Sequence, residues 1–92
     1  MPDPAAITLT PGVLDRFLAY AKDAVNWGGT PLVGGNVGGD PADKGYIVNM
    51  KTAGLVTSFT DRDRRNGVVV ADVFLTFTDA GRALALQHGI DI

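Results

Sequence analysis

The sequence predicts a small α+β domain with three helical elements, a β-hairpin and a short C-terminal helix. Three observations lead to this prediction. Two segments begin with a capping residue followed by proline, which is a typical start of a helix. A later segment contains Asn-Gly between two stretches rich in β-branched and aromatic residues, which is typical of a tight hairpin. The last residues begin with Thr-Asp and contain a late glycine, which predicts a closing helix.

The first helix is predicted over residues 10–26. The Thr10 hydroxyl can accept a hydrogen bond from the first turn, and Pro11 takes the first helical position, where its missing N–H costs nothing. Apolar residues then recur at three- and four-residue steps from Val13 to Val25. This spacing places them on one helix face.

Residues 28–39, here called the glycine-rich segment, hold six glycines. Each glycine costs a helix about 1 kcal/mol relative to alanine, so a long regular helix is excluded here. Thr30 and Pro31 resemble a helix start. We therefore expect a compact loop with one helical turn.

A second full helix is predicted over residues 41–53. Asp40 and Pro41 repeat the cap-plus-proline start, and Asp43 adds a negative charge in the first turn, where the helix dipole favours it. Four apolar residues fall on one face, namely Tyr46, Ile47, Met50 and Ala53. Gly54 then follows at the position where a left-handed residue commonly ends a helix.

A hairpin is predicted to follow this helix. Residues 55–60 alternate in character, and residues 68–77 are rich in β-branched and aromatic side chains. Between them, residues 61–67 read Asp-Arg-Asp-Arg-Arg-Asn-Gly, which predicts a polar tip closed by Asn-Gly.

The closing helix is predicted from Thr78 and Asp79 to about His88, with Gly89 after its end. Its apolar residues are mostly small alanines. We therefore expect this helix to cover the core without contributing most of it.

Composition limits the class of protein. Ninety-two residues suffice for one domain over 1–92, with residues 1–8 as a flexible or extended arm. No cysteine is present, the N-terminus lacks signal-peptide character, and no apolar run approaches the roughly 20 residues of a membrane span. We therefore expect a cytoplasmic protein without a membrane segment. All ten acidic residues are Asp, a bias that suggests GC-rich codon usage and hence a bacterium or its phage.

Two strings carry a family resemblance. "KGYIVNMKTAGLV" (44–56) looks like the end of a recognition helix that leads into a wing strand. "LTFTDAGRALA" (75–85) looks like the end of the second wing strand and the helix after it. Together with the element order, they resemble the winged helix-turn-helix superfamily, as found in small MarR- and PadR-like regulators. The glycine-rich segment departs from the usual second helix of that motif.

The resemblance implies binding to double-stranded DNA, with no cofactor and with a homodimer as the functional unit. The helix over 41–53 would enter the major groove, and the hairpin would act as a wing against the neighbouring backbone or minor groove. The residues implied as DNA contacts are Lys44, Asn49, Lys51, Arg62, Arg64 and Arg65. Arginine and lysine would pair with phosphates, and Asn49 would hydrogen-bond a base.

Charge leaves a second function open. The formal net charge is −2 and the pI is about 5.0, whereas DNA-binding domains are usually basic. Between residues 40 and 65 there are five basic and four acidic residues. The alternative is a winged-helix module, for example a phage or mobile-element accessory protein, that docks a protein partner and not DNA.

Other candidate sites have simpler explanations. The glycine-rich segment lacks the lysine that a phosphate-binding P-loop requires. His88 is the single histidine and has no partners at metal-ligand spacing. Ser58 has no histidine at the spacing of a catalytic pair. We therefore predict no catalytic residue, no metal and no cofactor.

Two aromatic residues remain. Trp27 and Tyr46 are either parts of the core or exposed anchors for a protein partner. A domain this small needs its large aromatic side chains inside, so we favour the core for both.

Overall fold

The computed structural model describes residues 9–92. The elements are α1 (Pro11–Val25), α2 (Asp43–Thr52), β1 (Val56–Arg65), β2 (Val68–Phe77) and α3 (Asp79–Gln87). In this part of the chain, three helices and one two-stranded antiparallel hairpin confirm the predicted α+β class, in an order consistent with a small winged helix. The predicted arm over residues 1–8 lies outside the described residues. Within residues 9–92, no helix has the length and apolar composition needed to cross a bilayer.

Helix α1 forms as its sequence predicts. The Thr10 hydroxyl accepts a hydrogen bond from the Val13 N–H at 3.4 Å, and Pro11 is the first helical residue. The residues of α1 that become buried recur with helical spacing, namely Val13, Phe17, Tyr20, Ala21, Asp23 and Ala24. The local capping rule and the apolar stripe therefore suffice to define this element.

Helix α2 begins two residues later than predicted, because Asp40 does not cap it. The residue at the N-cap is Ala42, which makes no side-chain cap hydrogen bond. The Asp40 carboxylate instead accepts two hydrogen bonds from Arg16 of α1, at 2.7 and 2.9 Å. The end of α2 follows the prediction, since Gly54 has φ +74° and the Leu55 N–H reaches back to the Met50 carbonyl at 3.0 Å.

The glycine-rich segment forms no helical turn, so that prediction is wrong. Leu32 instead bridges Phe74 of β2 in antiparallel fashion, and the Val33 N–H donates to the Val73 carbonyl at 2.8 Å. Left-handed glycines on either side of this contact, such as Gly28 and Gly38, direct the chain onto the edge of the hairpin. Pairing with a strand that is distant in sequence therefore replaces the local helix start.

The hairpin is longer and its turn tighter than predicted. Only Asn66 and Gly67 form the turn, with φ of 51° and 78°, as a two-residue hairpin turn requires. Residues 61–65, predicted as part of the polar tip, are paired strand residues opposite 68–72. At about 3.3 Å per residue, each ten-residue strand is roughly 33 Å long. The half of the hairpin that is nearer the Asn66–Gly67 turn thus extends beyond the core.

The core lies between α1, α2 and the base of the hairpin. The rings of Phe17 and Phe77 meet edge to face at 5.7 Å between centroids. The other large buried side chains include Tyr20, Met50 and Leu75. Helix α3 closes this core, and Thr78 caps it by accepting the Gly81 N–H at 3.1 Å.

A buried ion cluster fastens α1 to the start of α2. The Asp43 carboxylate accepts hydrogen bonds from Arg16 at 2.8 Å and from the Tyr20 hydroxyl at 2.7 Å. It also accepts the Gly39 N–H at 3.3 Å, which brings in the glycine-rich segment. A Cβ on Gly38 would lie far too close to the Tyr20 hydroxyl. The cluster therefore depends on a glycine at that position.

Two helical glycines allow a matched test of the packing around α3. A Cβ on Gly81 would lie far too close to the Leu55 carbonyl oxygen, whereas a Cβ on Gly45 of α2 would meet no atom of residues 9–92 within 4 Å. We expect Gly81→Ala to lower the free energy of unfolding by about 1–3 kcal/mol, the usual cost of overpacking. We expect Gly45→Ala to raise it by roughly 0.5–1 kcal/mol through helix propensity. Urea denaturation measures both, and equal effects would contradict the close α3 contact.

We predict that ionisation of the buried Tyr20 hydroxyl lowers the stability of the folded protein at alkaline pH. Burial and the hydrogen bond to Asp43 raise the pKa of Tyr20 well above its ordinary value. The neutral hydroxyl therefore stabilises the folded state fully below about pH 10, the ordinary tyrosine pKa. This contribution falls as the pH rises toward the higher folded value. Chemical denaturation between neutral and alkaline pH should show a smaller alkaline loss in Tyr20→Phe than in the wild type. An identical loss would contradict the assignment.

Candidate nucleic-acid interface

Strand alternation sorts the charges of the hairpin onto two faces. Successive strand residues point to opposite faces, and Val56, Leu75 and Phe77 define the face that carries the core. We call this the inner face and the opposite one the outer face. Arg62 and Arg64 occupy the inner face beyond the core, opposite Ala71 and Val69. The alternating Asp and Arg residues of β1 therefore lie on opposite faces of the hairpin, with Arg62 and Arg64 on the inner face.

The arginines of the inner face are available to a ligand. Both Arg62 and Arg64 are exposed. Among the ion pairs of residues 9–92, none involves either guanidinium. Their cross-strand neighbours on this face are uncharged. The inner face of the hairpin thus presents two positive charges beside apolar side chains, and no carboxylate of residues 9–92 neutralises them.

Arg65 lies on the other face. Its guanidinium is 3.1 Å from the Asp72 carboxylate and 3.7 Å from that of Asp63. Asp61 shares this outer face, directly opposite Asp72. The structure therefore separates Arg65 from Arg62 and Arg64, with which the sequence groups it, and surrounds it with carboxylates.

The candidate residues of α2 lie on two sides of the helix. Lys44 and Lys51 are seven residues apart and share one side, whereas Asn49 lies roughly 140–160° around the axis at 3.6 residues per turn. All three are exposed. Between them lies Val48, with 53% of its surface exposed. The outward surface of α2 is therefore flanked by lysines on one side and by an amide on the other.

Tyr46 and Trp27 differ in their placement. Tyr46 is half-buried, and its ring lies 4.9 Å from the Arg16 guanidinium carbon, as part of the packing between α1 and α2. Trp27 has 58% of its surface exposed, so the core placement predicted for it is wrong. Trp27 lies just beyond the end of α1, and its indole N–H donates a hydrogen bond to the buried Asp23 carboxylate at 3.2 Å. The polar N–H is thus satisfied while the ring stays in solvent.

Residues 9–92 contain no group of three or more His, Asp, Glu or Cys side chains placed to hold a metal ion. His88 is exposed at the C-cap of α3. Ser58 is half-buried in β1 opposite Leu75. Neither residue has a hydrogen-bonded partner of the kind that a catalytic pair needs in this part of the chain.

Comparison with known proteins finds no matching family model, curated protein or solved structure. Membership of the winged helix-turn-helix superfamily remains a prediction from the two sequence strings and the element order. The functional assignment consequently rests on the placement of the charged side chains.

Proposed function

We propose that this protein is a small DNA-binding regulator that contacts duplex DNA through α2 and the inner face of its hairpin. The observation that carries the proposal is that Arg62 and Arg64 share one exposed face and form no ion pair with any side chain of residues 9–92. A net charge of −2 does not oppose this, because the acidic side chains of the hairpin lie on the outer face. Local and not overall charge governs contact with phosphates.

The contacts differ in kind. Arg62 and Arg64 bind phosphate oxygens or enter the minor groove, as wing arginines do. Lys44 and Lys51, on one side of α2, bind phosphates of the DNA backbone. Asn49, on the other side of α2, reaches the edge of a base. Arg65 contributes less, since contact with DNA would require it to leave two carboxylates.

The proposal includes a homodimer acting in the cytoplasm. Two copies of α2 would then read two half-sites one helical turn apart. A titration that gives two chains per duplex site supports the dimer, and one chain per site excludes it.

The wing arginines provide the main test. We expect Arg62→Ala with Arg64→Ala to weaken binding to a mixed-sequence duplex about a hundredfold or more, because hydrogen bonds to charged groups contribute roughly 1.5–3 kcal/mol each. The slope of log affinity against log salt should fall by about 2, or about 1 for each lost phosphate contact. Fluorescence anisotropy over a range of salt concentrations measures both quantities.

The matched control removes the same charge elsewhere. Lys22→Ala with Arg82→Ala removes two positive charges from exposed positions of α1 and α3 that the proposal does not use. We expect its affinity and salt slope to stay close to those of the wild type. Equal weakening in both double variants would show a general charge effect, and unchanged binding in the wing variant would exclude the proposed interface.

The α2 contacts are tested separately. We expect Lys44→Ala and Lys51→Ala each to reduce the salt slope by about 1 on every duplex. Asn49→Ala removes no charge, so it should leave the slope unchanged and alter the preference among duplex sequences. Lys22→Ala, in the exposed part of α1, is the control for lysine removal. A slope for Lys22→Ala as low as for the α2 variants would contradict the role of α2.

A further inference from the structure

A groove on the outer face has features of a binding site that DNA contact does not use. It has a volume of about 310 Å³ and lies between the end of α1, the glycine-rich segment and β2. Its apolar lining includes Trp27, Leu32 and Phe74, and its polar lining includes Asp23, Asp72 and Arg65. This volume is at the lower end of the range typical of ligand pockets.

The Trp27 ring is held in place although it is exposed. Asp23 is 8% exposed, and its Oδ1 accepts hydrogen bonds from the Trp27 indole at 3.2 Å and from the Asn36 amide at 2.9 Å. A single buried carboxylate thereby positions two side chains that line the groove. An aromatic ring ordered in advance loses little entropy when a ligand packs on it.

The charge of the groove favours a cation. The second oxygen of Asp23, Oδ2, is buried and has no hydrogen-bond donor within residues 9–92. Asp72 adds a second carboxylate, and Arg65 offsets only one of the two negative charges. Beyond the groove, Asp61 and Asp63 extend the negative charge along the outer face. A cation on the indole face would gain both cation–π attraction and proximity to carboxylates.

We infer that this groove binds an arginine side chain of a protein partner, with the guanidinium stacked on Trp27 and opposite the Asp23 and Asp72 carboxylates. Arginine suits the groove better than lysine, because its planar guanidinium stacks on an aromatic face while it faces a carboxylate. Its alkyl stem covers Leu32 and Phe74. The inference does not rest on DNA binding, since it uses the opposite face of the hairpin.

The single tryptophan provides a specific probe, because Trp27 gives the one indole N–H resonance of the protein. The ligand is a capped pentapeptide in which a central arginine, flanked by leucines, is the only charged residue. We expect a saturable shift of the indole resonance in the intact protein. The same peptide with neutral citrulline in place of arginine should give a much weaker response, and N-acetyl-arginine amide should bind less tightly than the peptide.

Three variants separate the groove from general charge effects. Asp72→Asn should weaken peptide binding about two- to fivefold, the range of a partly exposed ion pair. Arg65→Gln should strengthen it by a similar factor, because it frees the Asp72 carboxylate. Arg62→Gln, with the same charge change on the inner face, should leave peptide affinity unchanged. Thermal unfolding verifies that each variant is folded.

Several results would overturn the inference. These are an equal response to citrulline, equal effects of Arg62→Gln and Arg65→Gln, unchanged binding by Asp72→Asn, and no saturable shift at all. Binding of N-acetyl-arginine amide as tight as that of the peptide would assign the groove to a small guanidinium compound and reject a protein partner. Loss of DNA binding in Arg62→Ala with Arg64→Ala, with peptide binding retained, would show the two sites to be independent.

Discussion

The structure depends on one buried carboxylate. Asp43 is 4% exposed and binds Arg16 and Tyr20 of α1 as well as the backbone of the glycine-rich segment. Removing one partner of a buried ion pair typically costs about 3–5 kcal/mol, a large share of the roughly 5–15 kcal/mol that stabilises a domain. The same contact fixes the start of α2. The direction in which Lys44 and Lys51 project therefore depends on this cluster, which lies roughly 80–100° around the axis of α2 from the two lysines.

The alternating charges of β1 are separated in space only because β1 pairs with β2. In a flexible loop, the order Asp-Arg-Asp-Arg would mix both signs and give nearly neutral surroundings. In a paired strand, the period of two places Arg62 and Arg64 on the inner face and Asp61 and Asp63 on the outer face. This arrangement reconciles an acidic protein with a proposed DNA contact. It also produces an acidic face beside an exposed indole, which is the basis of the proposed arginine site.

Two proposed surfaces on opposite faces of one hairpin would let the protein contact DNA and a protein partner at the same time. Arg65 belongs to both proposals, since the sequence groups it with the wing arginines, yet in the structure it pairs with Asp72 and lines the groove. Its ion pair with Asp72 makes Arg65 less available to DNA phosphates and partly neutralises the negative charge of the groove. The sequence leaves DNA binding and the docking of a protein partner as exclusive alternatives, whereas the two proposed sites would use separate faces of one hairpin.

The sequence by itself determined the elements whose rules are local. These are the Thr10–Pro11 start of α1, the Gly54 end of α2, the Asn66–Gly67 turn and the Thr78 cap of α3. Tertiary contacts decided the rest. Asp40 binds Arg16 and does not cap α2, Leu32 pairs with Phe74 and does not begin a helical turn, and Trp27 is held outside the core by Asp23. The partners of Asp40 and Leu32 are distant in the chain, and short-range patterns carry no information about which distant group will satisfy a charge or a backbone N–H. Trp27 and Asp23 are only four residues apart, but the exposure of the indole ring depends on how the chain after α1 packs. Arg65 shows the same limit for the site, because its face depends on the strand register and not on its neighbours in sequence.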